Sequence, residues 1–314
     1  MYVEMKHIEK NYGSFHASRD VSFGIDKGKL VALLGPSGSG KTTILRMLAG
    51  LENPNSGDIF IDGRRVNDIP AAKRGIGFVF QNYALFRYMT VFDNVAFGLE
   101  IQKRPKDEIR RRVLEMIDLV GLSGMEKRYP NQLSGGQRQR VLIAMALTRD
   151  PKLVIADEPT TALDVTVQKQ VIDLLNKLQH ELGFAMVFVS HDLALVAEVA
   201  NSITVMYAGQ VVEQGPVKEI LTNPVHEYTR GLLGSVLSIE AGGDRLHQVP
   251  GSVPSPKDFP EGDRFRPRSS HPDKISNVRP MLKRVKGTDH YYAELPDSEL
   301  KRVGIKPYLT GGAE

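Results

Sequence analysis

The sequence predicts a layered α/β fold with a parallel sheet at its centre, and two patterns indicate it. Short strand-like runs rich in Val, Ile, Leu and Phe alternate with stretches of helical character along most of the chain. The apolar runs within "LVIADE" and "MVFVS" show no polar alternation, which is typical of parallel strands that are covered on both faces. Alternating strands and helices of this kind build layers around a common core.

Each element is predicted from its own stretch of sequence. Strands are expected, in chain order, in "LVALLG", "DIFIDG", "GIGFVFQ", "LVIADE", "AMVFVSHD" and "SITVMYAGQVVEQG", and a helix is expected to begin at Lys41. From about residue 104 to residue 143 strand signals are absent, and "PKDEIRRRVLEMIDLVGL" carries apolar residues at helical spacing. We therefore expect a helical subdomain over residues 85–145, inside a main domain of residues 1–240.

The remaining residues, 241–314, differ in character from the rest of the chain. They include "GGDRLHQVPGSVPSPKDFPEGDRFRPRSSHP", rich in Pro, Gly and charge, which predicts a short tail dominated by loops. We expect the basic residues of this tail to form a solvent-exposed face, with contact to anionic lipid as the alternative. These residues are Arg264, Arg266, Arg268, Lys283, Arg284 and Lys286.

The composition restricts the classes of protein to be considered. The 314 residues are 41% hydrophobic, which suffices for an ordinary core. The 41 basic and 37 acidic residues leave a net charge of +4, too small an excess to indicate nucleic acid as a partner. The absence of cysteine excludes disulfides and thiolate metal sites. No apolar run approaches the roughly 18 residues that span a bilayer, and the start does not read as a signal peptide, so we expect a cytosolic protein.

The strongest chemical signal is "GPSGSGKT", which fits the pattern G-x-x-x-x-G-K-[ST] directly between a strand and a helix. Its glycines allow backbone N–H groups to surround a β-phosphate. Lys41 supplies a positive charge to the β- and γ-phosphate oxygens, and Thr42 offers its hydroxyl to Mg²⁺. The nucleotide-binding residues predicted here, with the threonine after the motif, are Gly35, Pro36, Ser37, Gly38, Ser39, Gly40, Lys41, Thr42 and Thr43.

Two carboxylates end the apolar strand in "LVIADE". Burying them costs free energy unless a cation lies nearby. We expect Asp157 to hold Mg²⁺ through its water shell, and Glu158 to polarise the water that attacks the γ-phosphate. An exposed strand end with hydrated acids is the alternative, which the upstream phosphate loop makes less favourable.

Three further residues are weaker candidates. His191 comes after the strand in "MVFVS", so its ring can reach the same edge of the sheet, although a lone histidine there is more often structural. Gln81, after "GIGFVF", has both a donor and an acceptor for a water or a metal ion. We include both residues among the catalytic candidates. Tyr12 precedes a glycine in an early loop and can stack on a base, while an aromatic there is about as often part of the core.

The segment "NQLSGGQRQR" is a second candidate for anion binding. It is poor in apolar side chains, and it offers the backbone N–H groups of two adjacent glycines between a hydroxyl and an amide. Only one phosphate-loop motif is present in the chain, so a tandem duplication is not indicated. The chain therefore carries two separate anion-binding segments, which we call half-sites because each would bind the same kind of ligand, a phosphate.

With these motifs in this order, residues 3–235 resemble the ATP-binding cassette (ABC) ATPases, the nucleotide-binding subunits of ABC transporters. The resemblance implies a P-loop NTPase fold of the ABC type, with a mixed sheet, an antiparallel β portion and a helical signature subdomain, and here a short tail at the end. It implies that Tyr12 stacks on adenine, that Gln81 is the Q-loop residue and that His191 is the switch histidine. "GPSGSGKT" corresponds to the Walker A loop, "LVIADE" to the Walker B strand and "ALD", ending at Asp164, to the D-loop.

The resemblance assigns the second half-site to a partner. In this family two cassettes pack head to tail, and each signature loop closes over the ATP held by the other cassette. The helix that begins near Gln137 would direct its positive end toward the γ-phosphate. The signature residues are Ser134, Gly135, Gly136 and Gln137. The implied partners are a second ABC ATPase subunit, two transmembrane permease subunits and, indirectly, an extracytoplasmic substrate-binding protein, with this chain peripheral on the cytoplasmic face of the membrane.

The surroundings of the motifs indicate the kind of cassette. Only a compact segment separates Gln81 from Ser134, a second cassette is absent, and membrane helices are not fused to the chain. These features favour the ATPase subunit of an importer over the exporter, repair, translation and regulatory ATPases that the family also contains. We expect hydrolysis of ATP to ADP and phosphate to drive uptake.

The two halves of the sequence resemble different importers. "RGIGFVFQNYALFRYMTVFDNVAFGL" is similar to the sulfate, polyamine and sugar type, except at Arg87 and Tyr88. From "VLIAMALTRDPKLVIADEPTTALDVTVQ" onward the chain is similar to the oligopeptide, dipeptide and nickel type. "FPEGDRFRPRSS" resembles a peptide-type segment whose cysteines ligate an iron–sulfur cluster, but Asp263 and Ser269 stand in those places, so no cluster can form. We favour peptide-type import, with sulfate, polyamine or another small solute as the alternative.

Overall fold

The computed structural model describes residues 1–80, 84–161, 163–190, 192–240, 249–255 and 258–309. The strands are β1 (Val3–Tyr12), β2 (Phe15–Ile25), β3 (Leu30–Leu34), β4 (Ser56–Ile61), β5 (Arg64–Arg65), β6 (Ile76–Val79), β7 (Leu153–Asp157), β8 (Ala185–Val189), β9 (Ser202–Tyr207), β10 (Gln210–Pro216), β11 (Met281–Arg284) and β12 (Tyr291–Glu294). The helices are α1 (Lys41–Ala49), α2 (Val91–Ile101), α3 (Lys106–Leu119), α4 (Gly135–Leu147), α5 (Val165–Leu182), α6 (Leu193–Val199), α7 (Val217–Thr222), α8 (Glu227–Glu240) and α9 (Asp297–Val303). Within these ranges no helix combines the length and the apolar character that a membrane span requires.

The central sheet confirms the predicted α/β class. Its eight strands lie in the order β11-β12-β10-β9-β3-β8-β7-β6. The strands from β9 to β6 are parallel, and β10, β12 and β11 extend the sheet in antiparallel fashion. Every residue of β3 and β8 is buried, because other layers cover both faces of the sheet. The loop after β3 therefore leaves the sheet near the middle of its carboxyl edge.

A second, antiparallel sheet covers one face of the central sheet, in the order β2-β1-β4-β5. The helix α1 lies between the two sheets, where Ile44 and Leu48 join Val3 of β1 and Val31 of β3 in one buried apolar cluster. The opposite face of the central sheet packs against helices α2 to α8 in a second cluster. The main domain thus has a hydrophobic core on each side of β3.

The helices α2, α3 and α4 form the helical subdomain, and the described residues 84–152 contain no strand. Thr90 begins α2 with a capping box, because its hydroxyl accepts a hydrogen bond from the N–H of Asp93 at 3.1 Å. Ser134 caps α4 in the same way, so this helix begins at Gly135. The sequence places that start near Gln137, slightly too late, because the capping hydroxyl fixes the first turn.

The tail is more regular than the sequence predicts. β11 and β12 form a hairpin, and β12 pairs with β10, where Glu213 lies opposite Tyr292. The tail thereby adds two strands to the central sheet, and α9 comes after them. Most of the described tail is irregular, as predicted, but the sequence misses this hairpin, since four-residue strands are too short to give a clear periodic signal.

The basic residues of the tail do not form one exposed face. Arg264 and Arg266 are only 2% and 7% exposed. Arg266 is buried because its guanidinium pairs with Asp263 at 2.8 Å, and Arg264 is buried because backbone carbonyl oxygens accept its hydrogen bonds. Arg284 and Lys286 are exposed. The predicted solvent-exposed face is therefore wrong for the two most buried arginines.

Glu213 ties the tail hairpin to the main domain. Its side chain lies fully buried in β10. Its carboxylate accepts hydrogen bonds from the N–H groups of Val225 at 2.7 Å and His226 at 3.0 Å. The Nε2 of His290, next to β12, lies 2.6 Å from the same carboxylate. One buried carboxylate thus holds the approach to α8 and the tail hairpin on β10 together.

We predict that Glu213→Gln lowers the free energy of unfolding by about 1–3 kcal/mol, because an amide N–H₂ would then face a donor in a buried site. Denaturant unfolding followed by circular dichroism measures the change. The control is Glu198→Gln, which alters a carboxylate that is half exposed and paired with Lys169, and which should cost no more than about 0.5 kcal/mol. Equal stability of the two variants would contradict the anchoring role of Glu213.

Candidate functional site

The loop between β3 and α1 takes a path that favours glycine. Gly35, Gly38 and Gly40 have φ angles of 152°, 78° and 93°, which side-chain-bearing residues rarely adopt. A Cβ at Gly35 would lie 2.3 Å from the carbonyl oxygen of Met206, and one at Gly40 would lie 3.1 Å from that of Ala17. The backbone therefore curls tightly between neighbouring strands, and glycine is favoured by the positive φ at all three places and by lack of space at Gly35.

Lys41 lies inside this curl and is 9% exposed. Its ammonium donates hydrogen bonds to the carbonyl oxygens of Gly35 at 2.7 Å and Pro36 at 2.9 Å, and to the hydroxyl of Ser39 at 3.3 Å. Burial lowers the pKa of Lys41, while the negative charges of Glu158 and Asp157 oppose that shift. These hydrogen-bond acceptors are uncharged, so the loop presents a buried cation that is suited to an anion.

The two carboxylates predicted at the end of β7 lie beside this loop. Asp157 is the last residue of β7 and pairs with Val189 of β8. Burial and the neighbouring charge of Glu158 raise the pKa of Asp157, and Lys41 counteracts them. A nearby cation therefore stabilises the ionised form of this carboxyl group, as expected from the sequence.

Glu158 has an unusual backbone conformation. Its φ angle is 44°, in the left-handed region that costs a non-glycine residue free energy. The strained peptide is held because its N–H donates to the carbonyl oxygen of Val189 at 3.1 Å. The hydroxyl of Thr161 donates to the Glu158 carboxylate at 2.9 Å. The fold thus fixes both the backbone and the side chain of Glu158 at the carboxyl edge of the sheet.

Together these groups surround a cavity of about 700 Å³. Its lining comprises Tyr12, Phe15, Ala17, Gly35, Pro36, Ser37, Gly38, Ser39, Gly40, Lys41, Thr42, Thr43, Asp157, Glu158 and Val189. The predicted phosphate loop, the two carboxylates and Tyr12 are therefore brought together. Phe15 and Ala17 were not predicted as site residues. The turn between β1 and β2 brings them to the cavity, and no sequence motif indicates that contact.

Tyr12 stands at the mouth of the cavity with 46% of its surface exposed. Its hydroxyl donates a hydrogen bond to Glu52, and the ammonium of Lys10 lies 5.0 Å from the ring centroid. Partial burial and the Glu52 carboxylate raise the pKa of Tyr12. The ring is held from one side, while its exposed surface remains available for a flat partner.

The signature residues lie elsewhere on the surface. Ser134 is exposed and accepts a hydrogen bond from the N–H of Gln137 at 3.2 Å, while the side-chain oxygen of Gln137 accepts one from the N–H of Ser134 at 2.9 Å. A Cβ at Gly136 would lie 2.5 Å from Val167, whose N–H donates to the capping carboxylate of Asp164 at 2.9 Å. Residues 134–137 and Asp164 are absent from the described lining of the cavity, so the structure separates the two predicted half-sites.

Gln81 and His191 lie outside the described residues. The strands that precede them, β6 and β8, run parallel to β3 and β7 and end at the same edge of the sheet as Asp157. Their proposed contacts with a metal ion or the γ-phosphate stay predictions.

The cavity fits a nucleoside triphosphate with Mg²⁺. The loop brings backbone groups to the cavity at its glycines, and the hydrogen bonds of Lys41 go to groups that phosphate oxygens can replace. Within the described residues no group of three or more His, Asp or Glu forms a metal cage. A Mg²⁺ ion at Thr42 and Asp157 would then need phosphate oxygens and water among its ligands, as is usual for this ion with nucleotides.

Comparison with known proteins agrees with this geometry. The model of the ABC transporter family matches residues 18–161. A second family model, the C-terminal region of oligopeptide/dipeptide transporters, matches residues 212–274. The chain thus carries an ABC cassette and, after it, a segment of the oligopeptide/dipeptide type, which confirms the mixed resemblance in the sequence.

Curated relatives of the chain include import ATPases. The chain is 45% identical over 258 residues to the sulfate/thiosulfate import ATP-binding protein CysA of Synechococcus elongatus, covering 82% of this chain and 75% of the relative. It is 40% identical over 320 residues to the protein of the same name from Bacillus cereus, covering 98% of this chain and 90% of the relative.

Solved structures show the same fold. A dimeric ATP-binding cassette bound to ADP and phosphate in a post-hydrolysis state matches with a TM-score of 0.62 and 34% identity, over 68% of this chain and 98% of that one. The cbiO1 subunit from Clostridium perfringens, part of the ABC transporter complex cbiONQ, matches with a TM-score of 0.65 and 32% identity, over 71% of this chain and 91% of that one. The chain therefore belongs to the ATP-binding subunits of ABC transporters, and is an ATPase that uses ATP with Mg²⁺ to drive import.

Proposed function

We propose that this chain energises the import of a small oxyanion of the sulfate or thiosulfate class. The observation that carries the proposal is the similarity to sulfate/thiosulfate import ATP-binding proteins, which in one case extends over 98% of this chain, tail included. These relatives favour the small-solute alternative of the sequence analysis over the peptide type that it preferred.

Peptide import is the second candidate, and one observation favours it. Residues 212–274 match the C-terminal region of oligopeptide/dipeptide transporters. This region covers most of β10, α7, α8 and the first part of the tail, and none of the helical subdomain. We rank it below sulfate import because the sulfate relatives align with the subdomain as well as with the tail.

We assign nucleotide binding to the cavity around Lys41. ATP with Mg²⁺, when bound, supplies the phosphoanhydride bond that is broken and an ion that neutralises its oxygens. The Lys41 ammonium, held on the loop by uncharged acceptors, provides positive charge to the phosphates. The exposed hydroxyl of Thr42 and the carboxylate of Asp157 would hold the ion. Tyr12, with its ring exposed at the mouth of the cavity, would stack on the base.

We assign the attacking water to Glu158. Its carboxylate is oriented by the hydroxyl of Thr161, and its backbone is fixed on β8, so the group is preorganised to accept a proton from water. Gln81 and His191, which come after the neighbouring strands, would complete the surroundings of the γ-phosphate.

We assign the signature residues to the nucleotide of a second ATPase subunit. Ser134 and Gln137 use their side chains to cap α4, and the positive end of this helix, beside the exposed Ser134, suits a phosphate. The contact of Gly136 with Val167 couples this loop to Asp164, so both would move together when the two subunits close. Completion of each site by the other subunit makes the pair, and not one chain, the hydrolytic unit.

We place the chain peripherally on the cytoplasmic face of the membrane, bound to two permease subunits. We assign the permease contact to the surface around Arg87 and Tyr88, the two residues that differ from the sulfate-type pattern. Tyr88 is 96% exposed and its neighbour Phe86 is 41% exposed, and both stand just before α2. Large exposed aromatic groups at the edge of the helical subdomain suit a protein interface.

We predict that Glu158→Gln lowers the turnover number for ATP by at least about 100-fold while ATP binding is retained, because the amide cannot take a proton from water. Lys41→Ala should lose binding and turnover together. Phosphate release and calorimetric titration with MgATP measure the two effects in the assembled transporter. The control Glu181→Gln changes a half-exposed carboxylate on α5 and should act like the parent. Turnover of Glu158→Gln at the parent rate would remove this residue from its role.

We predict that deleting the gene in its native cell abolishes high-affinity uptake of labelled sulfate but leaves uptake of a labelled dipeptide unchanged. The parent gene should restore sulfate uptake, and the Lys41→Ala gene should not, since it keeps the subunit but removes its energy supply. Loss of dipeptide uptake with normal sulfate uptake would replace the sulfate proposal by the peptide candidate.

A further inference from the structure

The C-terminal tail reaches the nucleotide cavity through one buried arginine. Arg264 is 2% exposed, although it belongs to a segment rich in Pro, Gly and charge. Its Nη1 atom donates hydrogen bonds to two carbonyl oxygens, that of His16 at 3.1 Å and that of Ala208. His16 lies in β2 between two residues that line the cavity, and Ala208 lies in the turn between β9 and β10. A single tail atom therefore joins β2, which lines the cavity, to the turn after β9, which does not.

The turn between β9 and β10 continues this connection to the phosphate loop. Gly209 donates its N–H to the carbonyl oxygen of Ser39 at 2.9 Å and accepts a hydrogen bond from the N–H of Arg19 at 2.8 Å. A Cβ at Gly209 would lie 2.2 Å from the carbonyl oxygen of Ala17 and 3.0 Å from Arg264. The tail arginine, the turn, β2 and the phosphate loop are therefore packed without spare space.

An aromatic contact supports the same wall from the tail. The ring of Phe259 lies 6.2 Å from that of Phe15, which lines the cavity. The guanidinium of Arg264 lies 4.8 Å from the centroid of the Phe259 ring, a distance at which a cation and an aromatic face attract each other. Phe15 and the neighbouring backbone thus rest on a pair of tail side chains.

We infer that Arg264 is a positioning residue for the nucleotide, by which the tail sets the distance between the β1–β2 turn and the phosphate loop. The inference rests on the proposed nucleotide site. Arg264 does not line the cavity itself, so it acts through the backbone of β2 and of the β9–β10 turn. Movement of the tail would change the affinity for nucleotide and leave the hydrolytic groups at β7 in place.

The surroundings of Arg264 raise the free-energy cost of burying its guanidinium. Its Nε atom is buried without a hydrogen-bond partner in the described part of the chain. Burial and the nearby charges of Arg19 and Arg279 lower the pKa of Arg264 to about 10. The hydrogen bonds to His16 and Ala208 and the ring of Phe259 offset the cost of burying this guanidinium.

The test compares Arg264→Met with Arg268→Met in the full-length chain. Arg268 is a control because its guanidinium donates to carbonyl oxygens within the tail, those of Val249, Pro250 and Gly251, and meets the main domain at Tyr207, whereas Arg264 bonds to β2 and to the β9–β10 turn. We expect Arg264→Met to raise the Kd for MgADP in calorimetric titration, and the KM for MgATP, by about tenfold. The turnover number should stay within about twofold, since Glu158 is untouched. Arg268→Met should leave the Kd at the parent value.

Further variants distinguish an error in the positioning role of Arg264 from an error in the assignment of the nucleotide site. Arg264→Lys keeps a donor for the two carbonyl oxygens and should fall between parent and Arg264→Met. If Arg264→Met does not fold, Phe259→Leu, which removes the ring contacts with Phe15 and Arg264 but keeps the hydrogen bonds of Arg264, should raise the Kd in the same direction. Equal Kd values for the Arg264 and Arg268 variants, with Lys41→Ala still abolishing binding, would overturn the positioning role and leave the nucleotide site standing. Unchanged binding in Lys41→Ala would overturn the site itself.

Discussion

The burial of the Lys41 ammonium among backbone carbonyl oxygens is the constraint on which the rest of the structure depends. A buried cation needs acceptors, and here the loop between β3 and α1 bends back to supply them. That bend requires glycine at Gly35, where a neighbouring carbonyl oxygen excludes a Cβ, and favours it at Gly40, where φ is 93°. It also requires β3 to lie inside the sheet, so that β7 can place Asp157 and Glu158 close enough to balance the charge. The two hydrophobic cores hold these strands in register.

Much of this could be predicted from the sequence, because the determinants are local. The strand, loop and helix around Lys41 are specified by contiguous residues, as are the two carboxylates at the end of β7. The features that could not be predicted depend on residues far apart in the chain. Phe15 reaches the cavity by a turn, and the pairing of β12 with β10 joins Tyr292 to Glu213 across about 80 residues. The burial of Arg264 likewise depends on distant partners, the carbonyl oxygens of His16 and Ala208, that no periodic pattern shows.

The tail bears both on the class of solute that is imported and on the structure of the nucleotide site. Its first part matches the oligopeptide/dipeptide transporter C-terminal region, while the whole chain aligns with sulfate/thiosulfate import proteins. In the structure the tail is part of the main domain, because its hairpin extends the central sheet and Glu213 holds it there. Arg264 then extends from this anchored segment to the walls of the nucleotide cavity. A segment with these contacts can serve the ATPase whatever solute the permease carries.

The sharing of each nucleotide between two chains is the central proposal, and the chain's lack of cysteine allows a direct test. One copy of the Glu158→Gln protein would carry Ser37→Cys in its phosphate loop, and another would carry Ser134→Cys at its signature loop. Both native serines are exposed, so a short bis-maleimide can reach them, and electrophoresis shows the product. We expect cross-linked dimers between the two kinds of chain with MgATP, and few with MgADP. Cross-linking that is absent, or that is the same with either nucleotide, would contradict the shared site.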